Sequence, residues 1–412
     1  MLLKIRGVSR NVVVLGWVSF LTDLATEMLY PVMPLFLVGT LGASPALLGL
    51  IDGIAEGGST VLRWLAGAYS DRFRRRKPFV VAGYGVSALS KPVMGLAAYA
   101  LGWPLYLIGR SADRLGKSIR TSARDALIAD STDPAFRGAA FGLHRAMDTA
   151  GAVAGPLVAL LIVLLKPDFP LAWLFFVALV PGLFSTALAS AAVQDVPHGV
   201  EAGAGNPPPL IQSFPKPFWH LLVAAAIFSI GNSADSFLIL RSKELGLSFP
   251  QVILAFALYN AVYALSALPL GKLSDSVGRK KVIVAGWLCY AAVYFGFAVA
   301  TSWAAAWVLL ASYGLYQALT EGVMKAMISD VVPKRQRAGA IGLFYTVVGA
   351  GQFVASVIAG ATWHVRLAGV QLMAPFAIGA ISVLIAIPII ATVPVPPPPQ
   401  GQDGLNVDSS GH

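Results

Sequence analysis

The chain is 412 residues long, 57% hydrophobic and only 12% charged, with a mean hydropathy of +0.72 and a formal net charge of +10. Soluble domains carry about a quarter charged residues, so a chain this apolar cannot cover itself in water, and its solvent is lipid. One cysteine, Cys289, excludes a disulfide within the chain, and the basic excess falls in short loops, where it orients spans rather than binding nucleic acid.

A span needs roughly 20 apolar residues. Backbone groups in lipid must be satisfied internally, which leaves helices or closed barrels. The apolar runs are continuous and do not alternate with period two, predicting an all-α integral membrane protein of about twelve transmembrane helices. In chain order, spans are expected at 12–38, 45–67, 78–99, 103–130, 137–164, 169–193, 218–241, 250–270, 281–300, 303–330, 338–361 and 370–394. The first is too long for the apolar region of a cleavable signal. Basic residues cluster before span one (Lys4, Arg6, Arg10) and after span two (Arg72, Arg74, Arg75, Arg76, Lys77). They cluster again after span eight (Lys272, Arg279, Lys280, Lys281) and span ten (Lys334, Arg335, Arg337), whereas loops 39–44 and 100–102 carry no charge. That asymmetry predicts both termini in the cytoplasm, and the chain is expected to be multi-pass in a cell (inner) membrane. Residues 194–217, which include Asn206-Pro207-Pro208-Pro209, are expected as a cytoplasmic linker between six-helix halves at 1–193 and 218–394. The tail 395–412, with Pro396–Pro399, is expected to be disordered.

The halves repeat. Gly67-x-x-x-Asp71 returns as Gly271-x-x-x-Asp275, while Asp130, Arg137, Gly142-Leu143 and Gly151 return two hundred positions on as Asp330, Arg337, Gly342-Leu343 and Gly351. Each half has an even number of spans, so the repeat can be parallel, and such repeats hold their substrate site between the halves near the bilayer midplane.

Two loop-and-span patterns carry chemistry. After span two the sequence reads Gly67-Ala68-Tyr69-Ser70-Asp71-Arg72-Phe73-Arg74-Arg75-Arg76-Lys77, and after span eight Gly271-Lys272-Leu273-Ser274-Asp275-Ser276-Val277-Gly278-Arg279-Lys280-Lys281. Glycine allows a tight turn, an acid can cap a neighbouring helix N-terminus, and bases hold the loop inside. Span five contains Gly151-x-x-x-Gly155-Pro156 with Ala159 after it. Small residues let helices approach closely, and proline bends a helix where a neighbour can satisfy the freed carbonyl.

These residues resemble the major facilitator superfamily over essentially the whole chain. The loop matches its G-x-x-x-D-R/K-x-G-R-R/K-R/K pattern, although Arg74 replaces a glycine in the first copy and Ser276 a base in the second. The resemblance implies a gating role for Gly67, Asp71, Arg72, Arg75, Gly271, Asp275 and Arg279. The span-five pattern resembles the antiporter signature G-x-x-x-G-P-x-x-G, with Ala159 in its last place, and implies proton-coupled export involving Gly151, Gly155 and Pro156. The family's span-four signature R-x-x-q-G is only loosely met by Arg110-x-x-Asp113, since Arg114 follows and Gly116 comes late.

Ionisable groups within spans cost roughly 2.5–3.5 kcal/mol each on insertion scales and are functional candidates by default. Asp23 and Glu27 lie four apart in span one, as do Asp52 and Glu56 in span two, so each pair shares a helical face. Span four carries a charged stripe: Arg110, Asp113, Arg114, Lys117, Arg120 and Arg124. Lys91 in span three and Arg145 and Asp148 in span five add to the first half, against Asn232, Asp235, Gln317, Glu321 and Lys325 in the second. The resemblance implies that spans one, four, seven and ten line a central cavity. Candidate proton carriers are Asp23, Glu27, Glu56 and Asp148. Candidate cavity residues are Arg110, Asp113, Arg114, Lys117, Arg145, Asn232, Asp235, Gln317 and Glu321. The alternative is that first-half acids and bases simply pair and lock that half together. The leading reading is a proton-coupled exporter of a small organic solute, working as a monomer; the alternative is a symporter importing a small organic anion. No phosphate loop, zinc-protease or nucleophile-elbow pattern occurs and the five histidines are scattered, so neither an enzyme, a metal nor a cofactor is expected.

Overall fold

The structure, a computed structural model, describes residues 9–72, 75–133, 136–195, 214–333, 336–367 and 372–394, without the side chains of 60–72, 138 and 338. The expected tail 395–412 and most of the expected linker, 196–213, lie outside the described residues. Span one is Arg10–Leu29, continued by Met33–Leu35 and a π-helical turn Phe36–Thr40. Spans two to six are Pro45–Arg72, Lys77–Leu96, Trp103–Asp130, Arg137–Leu165 and Leu171–Ala192. Span seven is two helices, Lys216–Gly231 and Ser236–Glu244. Spans eight to twelve are Phe249–Val277, Arg279–Val299, Trp303–Val331, Arg337–Ala361 and Ala374–Ala391. Among the described residues, nine of these are long and apolar enough to cross a membrane on length and composition alone. Spans two, four and ten fall outside that set, and they carry Asp52, Glu56, the charged stripe, Glu321 and Lys325.

Three features depart from the expected uninterrupted spans. Span one breaks at Tyr30–Val32, where Pro31 lacks the N–H an α-helix would use. Span seven breaks at Asn232–Asp235, and the loop before span twelve pairs Arg366–Leu367 with Leu372–Met373 as a short antiparallel hairpin. Broken backbone at membrane depth survives only where protein satisfies it. Around the span-seven break, Tyr290 donates to the Gly231 carbonyl at 2.9 Å, and the Ala234 N–H donates to Ser356 Oγ at 3.1 Å.

Each half repeats one contact at the end bearing the charged loops. Arg76 meets Asp130 at 2.8 Å, joining spans three and four, and Arg279 meets Asp330 at 2.7 Å, joining spans nine and ten. The loop patterns alone align Arg75, not Arg76, with Arg279; Arg75 is exposed. The second copy turns on Gly278, at φ +97°, and its helix starts at once with Arg279, whereas span three starts two residues after Arg75. Arg279 also reaches Asp275 at 3.4 Å. The side chains of Gly67, Asp71 and Arg72 lie outside those described.

At the end opposite the basic loops the halves press together. A Cβ on Gly360 of span eleven would fall 2.9 Å from the Ala46 Cα of span two, and one on Gly49 would collide with the Ser356 carbonyl. Phe237 and Trp363 pack 5.3 Å apart there, and the Trp363 indole donates to Glu244 at 2.8 Å.

Spans one and five are equally close. A Cβ on Gly155 would lie 2.7 Å from both the Leu24 carbonyl and the Met28 nitrogen, and one on Gly151 would strike the Phe20 carbonyl. Gly155→Leu is therefore expected to destabilise the protein by about 1–3 kcal/mol through overpacking. A thermal-shift measurement in detergent checks this, and an unchanged midpoint would mean that the two spans do not pack so tightly.

Candidate substrate cavity

A cavity of about 450 Å³ lies between the halves, within the size range of small-molecule sites. The first half contributes Glu27, Tyr30, Glu56, Arg114 and Lys117 to its wall. The second half contributes an aromatic cluster that includes Tyr259, Trp287, Tyr313 and Tyr316, and polar residues that include Asn232, Asp235, Asn260, Gln317, Glu321 and Gln352. Of the sequence-nominated cavity residues, Arg114, Lys117, Asn232, Asp235, Gln317 and Glu321 line it; Glu27 and Glu56, nominated as proton carriers, line it too.

Arg110, Asp113 and Arg145 are placed differently. Arg110 is 1% exposed; its Nε and Nη2 both approach Asp52 Oδ1 at 3.2 Å, and Nη2 reaches Glu56 at 3.4 Å. Arg114 bridges Glu56 at 3.2 Å and Asp113 at 3.3 Å. Asp113 also takes a hydrogen bond from Ser87 at 2.6 Å and pairs with Lys91 at 3.4 Å. This cluster holds three acids (Asp52, Glu56, Asp113) and three bases (Lys91, Arg110, Arg114), so it is formally neutral. Ions so deep in the structure need such mutual compensation. The upper part of the span-four stripe is thus spent inside the first half rather than offered to the cavity.

Arg145 connects the halves. It meets Asp148 of its own span at 3.4 Å, Glu321 of span ten at 3.4 Å, and donates to the hydroxyl of Tyr263 of span eight. Tyr263 in turn donates to Glu321 at 2.6 Å. Behind Arg145, Asp148 accepts from Ser19 at 2.7 Å and lies beside Asp23. The close packing at Gly151 and Gly155 is what brings Asp23 of span one against Asp148 of span five. Pro156, having no N–H, leaves the Ala152 carbonyl free, and Asn260 of span eight donates to it across the halves at 3.3 Å. Glu27 is different again: among the described residues no ion pair or hydrogen bond holds its carboxylate, and Lys117 and Arg114 are the cations that act on it most strongly.

Sequence reasoning missed the aromatic face and its backing. Tyr290 and Tyr294 stack at 4.1 Å, Tyr290 and Tyr316 lie 4.9 Å apart edge to face, and Phe228 stacks on Trp287 at 4.9 Å. The signal was available as tyrosines three or four apart on spans eight, nine and ten (Tyr259/Tyr263, Tyr290/Tyr294, Tyr313/Tyr316), one helical face each.

The sequence profile of the Major Facilitator Superfamily matches residues 15–242 and again 222–408. The chain belongs to the Major Facilitator Superfamily. An uncharacterized MFS-type transporter of Methanocaldococcus jannaschii is 37% identical over 372 residues, spanning 87% of this chain and 90% of that relative. The multidrug resistance protein MdtH of Yersinia enterocolitica is 31% identical over 140 residues, 34% of each chain. Among solved structures, a D-xylose-proton symporter superposes with a TM-score of 0.73 at 17% identity, over 94% of this chain and 97% of that one. This likeness establishes the fold: all-α, multi-pass, in two domains.

Proposed function

We propose that this superfamily transporter is a secondary active exporter that expels a small organic solute in exchange for protons, by exposing the cavity alternately to the two sides. One observation carries the reading: carboxylates on spans one, two, seven and ten face a solute-sized cavity whose end away from the basic loops is closed by the meeting of spans two and eleven. Acids at that depth are costly unless used, and two halves packed tightly at one end are what a rocking exchange between states requires. The span-five pattern, Gly151, Gly155 and Pro156, supports export by resemblance, as does the partial match to MdtH. Glu27, Asp23 and Asp148 are the proton sites, Arg145 the bridge whose partners change between states, and the loops of Asp71 and Asp275 the gates. Both termini lie in the cytoplasm, and one chain suffices.

Reconstituted vesicles test the coupling and its direction. With the lumen acid, protons run outward, and an antiporter must accumulate its solute inside. With the lumen alkaline, accumulation must vanish. Accumulation only in alkaline vesicles would mean co-transport and overturn export in favour of uptake. Equal flux under both gradients would remove the proton coupling altogether.

A further inference from the structure

We infer that the cavity selects organic amines in their protonated form, with Asp235 and Asn232 at the break of span seven holding the ammonium and the tyrosine face of the second half holding the apolar body. The inference rests on the reading of this cavity as the substrate site and narrows its substrate to a chemical class.

The charge count favours a cation. The cavity wall bears four carboxylates, Glu27, Glu56, Asp235 and Glu321, against two bases, Arg114 and Lys117. Glu56 and Arg114 belong to the neutral first-half cluster, and Glu321 is engaged by Arg145 and by Lys325 at 3.9 Å. What remains is Glu27, Asp235 and Lys117, an acidic excess.

Asp235 is the acid best placed for recognition. Its partner is a neutral hydroxyl, Tyr313, donating at 2.8 Å. The charged groups that bear on it, Glu27, Glu56 and Asp52, are all acidic, and no base among the described residues pairs with it. A carboxylate in such surroundings gains most from a cation brought by a ligand. Asn232 supplies the second, independent pointer. It lines the cavity, is 7% exposed, and its side-chain oxygen has no hydrogen-bond partner among the described residues. A buried unsatisfied acceptor is expensive, and an ammonium carries N–H donors that could serve Asn232 and Asp235 together. A carboxylate ligand offers neither atom anything. The surrounding rings match the same chemistry: Tyr259 and Tyr313 lie 5.5 Å apart and Tyr313 and Tyr316 5.2 Å apart, and aromatic faces attract cations while accepting an apolar body. The break itself points Asp235 here, because the helix that restarts at Ser236 begins directly after it.

Three fluorescent probes of one shape test the class: dansylcadaverine, its N-acetyl derivative, and dansyl-6-aminohexanoate, which present an ammonium, a neutral amide and a carboxylate. Binding is measured by equilibrium dialysis at neutral pH against the full-length protein in lipid nanodiscs, with empty nanodiscs subtracted. The amine should bind tightest and the carboxylate weakest. Asp235→Asn should weaken the amine about tenfold or more, as truncating one member of a desolvated charge pair does, and leave the acetylated probe within a few-fold. Tyr259→Ala should weaken the amine and the acetylated probe alike. A carboxylate probe that binds as well as the amine overturns the inference, as does an Asp235→Asn protein that binds the amine like wild type. If Asp235→Asn fails to fold, the order of the three probes on the wild-type protein decides alone. The assay needs no gradient, so it fails independently of the coupling: a protein that accumulates solute under a pH gradient yet prefers the carboxylate keeps its transport reading and loses this one.

Discussion

Replacing Arg110 by alanine is expected to cost about 3–5 kcal/mol of stability, the range found when one partner of a buried ion pair is removed. Arg110 is almost fully buried, and its guanidinium is the common partner of Asp52 and Glu56 on span two. Asp52 is 2% exposed, and its second carboxylate oxygen already lacks a hydrogen-bond partner among the described residues. Without Arg110, Asp52 would be a buried charge with no compensation. Arg110→Lys should recover only part of the loss, because an ammonium is a point charge and cannot reproduce the guanidinium fork that spans two carboxylates. Removing both charges, as Arg110→Met with Asp52→Leu, should recover more than Arg110→Lys, since exchanging a whole buried pair for apolar groups is often neutral. Thermal unfolding of the purified variants measures all three. An Arg110→Ala protein as stable as wild type would mean that the cluster does not hold spans two and four together.

The span count and order were legible because membrane spans are written as long apolar runs, and the strongest runs gave helices within a few residues of expectation. The breaks in spans one and seven were not legible. Pro31 and Asn232-Ser233 are weak local signals, and whether a break persists depends on distant donors such as Tyr290 and Ser356 that only the fold brings near. The acids and bases of the first half were found by helical spacing, but spacing along one helix does not say which acid meets which base. Hence Arg110 and Asp113, nominated for the cavity wall, are instead interior members of a neutral cluster, in which Arg110 and Arg114 of the stripe are matched by Asp52, Glu56 and Asp113. The aromatic face went unread because tyrosine and tryptophan in an apolar run look like ordinary membrane residues until their common direction is known. Pro156 shows the opposite case: the missing N–H foretold a free carbonyl, and the fold supplied Asn260 to take it.

Glu27→Gln is expected to reduce pH-driven accumulation of solute by about tenfold or more while leaving solute exchange without a gradient intact. The magnitude follows from coupling free energies between sites, typically 1–3 kcal/mol or about 5–150-fold. Glu56 is the less suitable carrier, because two arginines at 3.4 and 3.2 Å hold it as a carboxylate, and its proton would have to displace both. Glu27 faces the same cavity from span one with no such partner. Glutamine keeps its size and polarity but cannot take up or release a proton, so binding and reorientation should persist while the link to the proton gradient is cut. Exchange needs only those first two steps, which is why it separates coupling from folding or binding. Loss of both activities would show that Glu27 binds solute or supports the fold. Retention of both would move the proton site to Asp23 and Asp148, whose mutual contact beside Arg145 makes them the next pair to change. In that case Asp148→Asn should uncouple transport by the same measure, because Arg145 would then face Glu321 alone and the bridge between the halves would no longer respond to a proton.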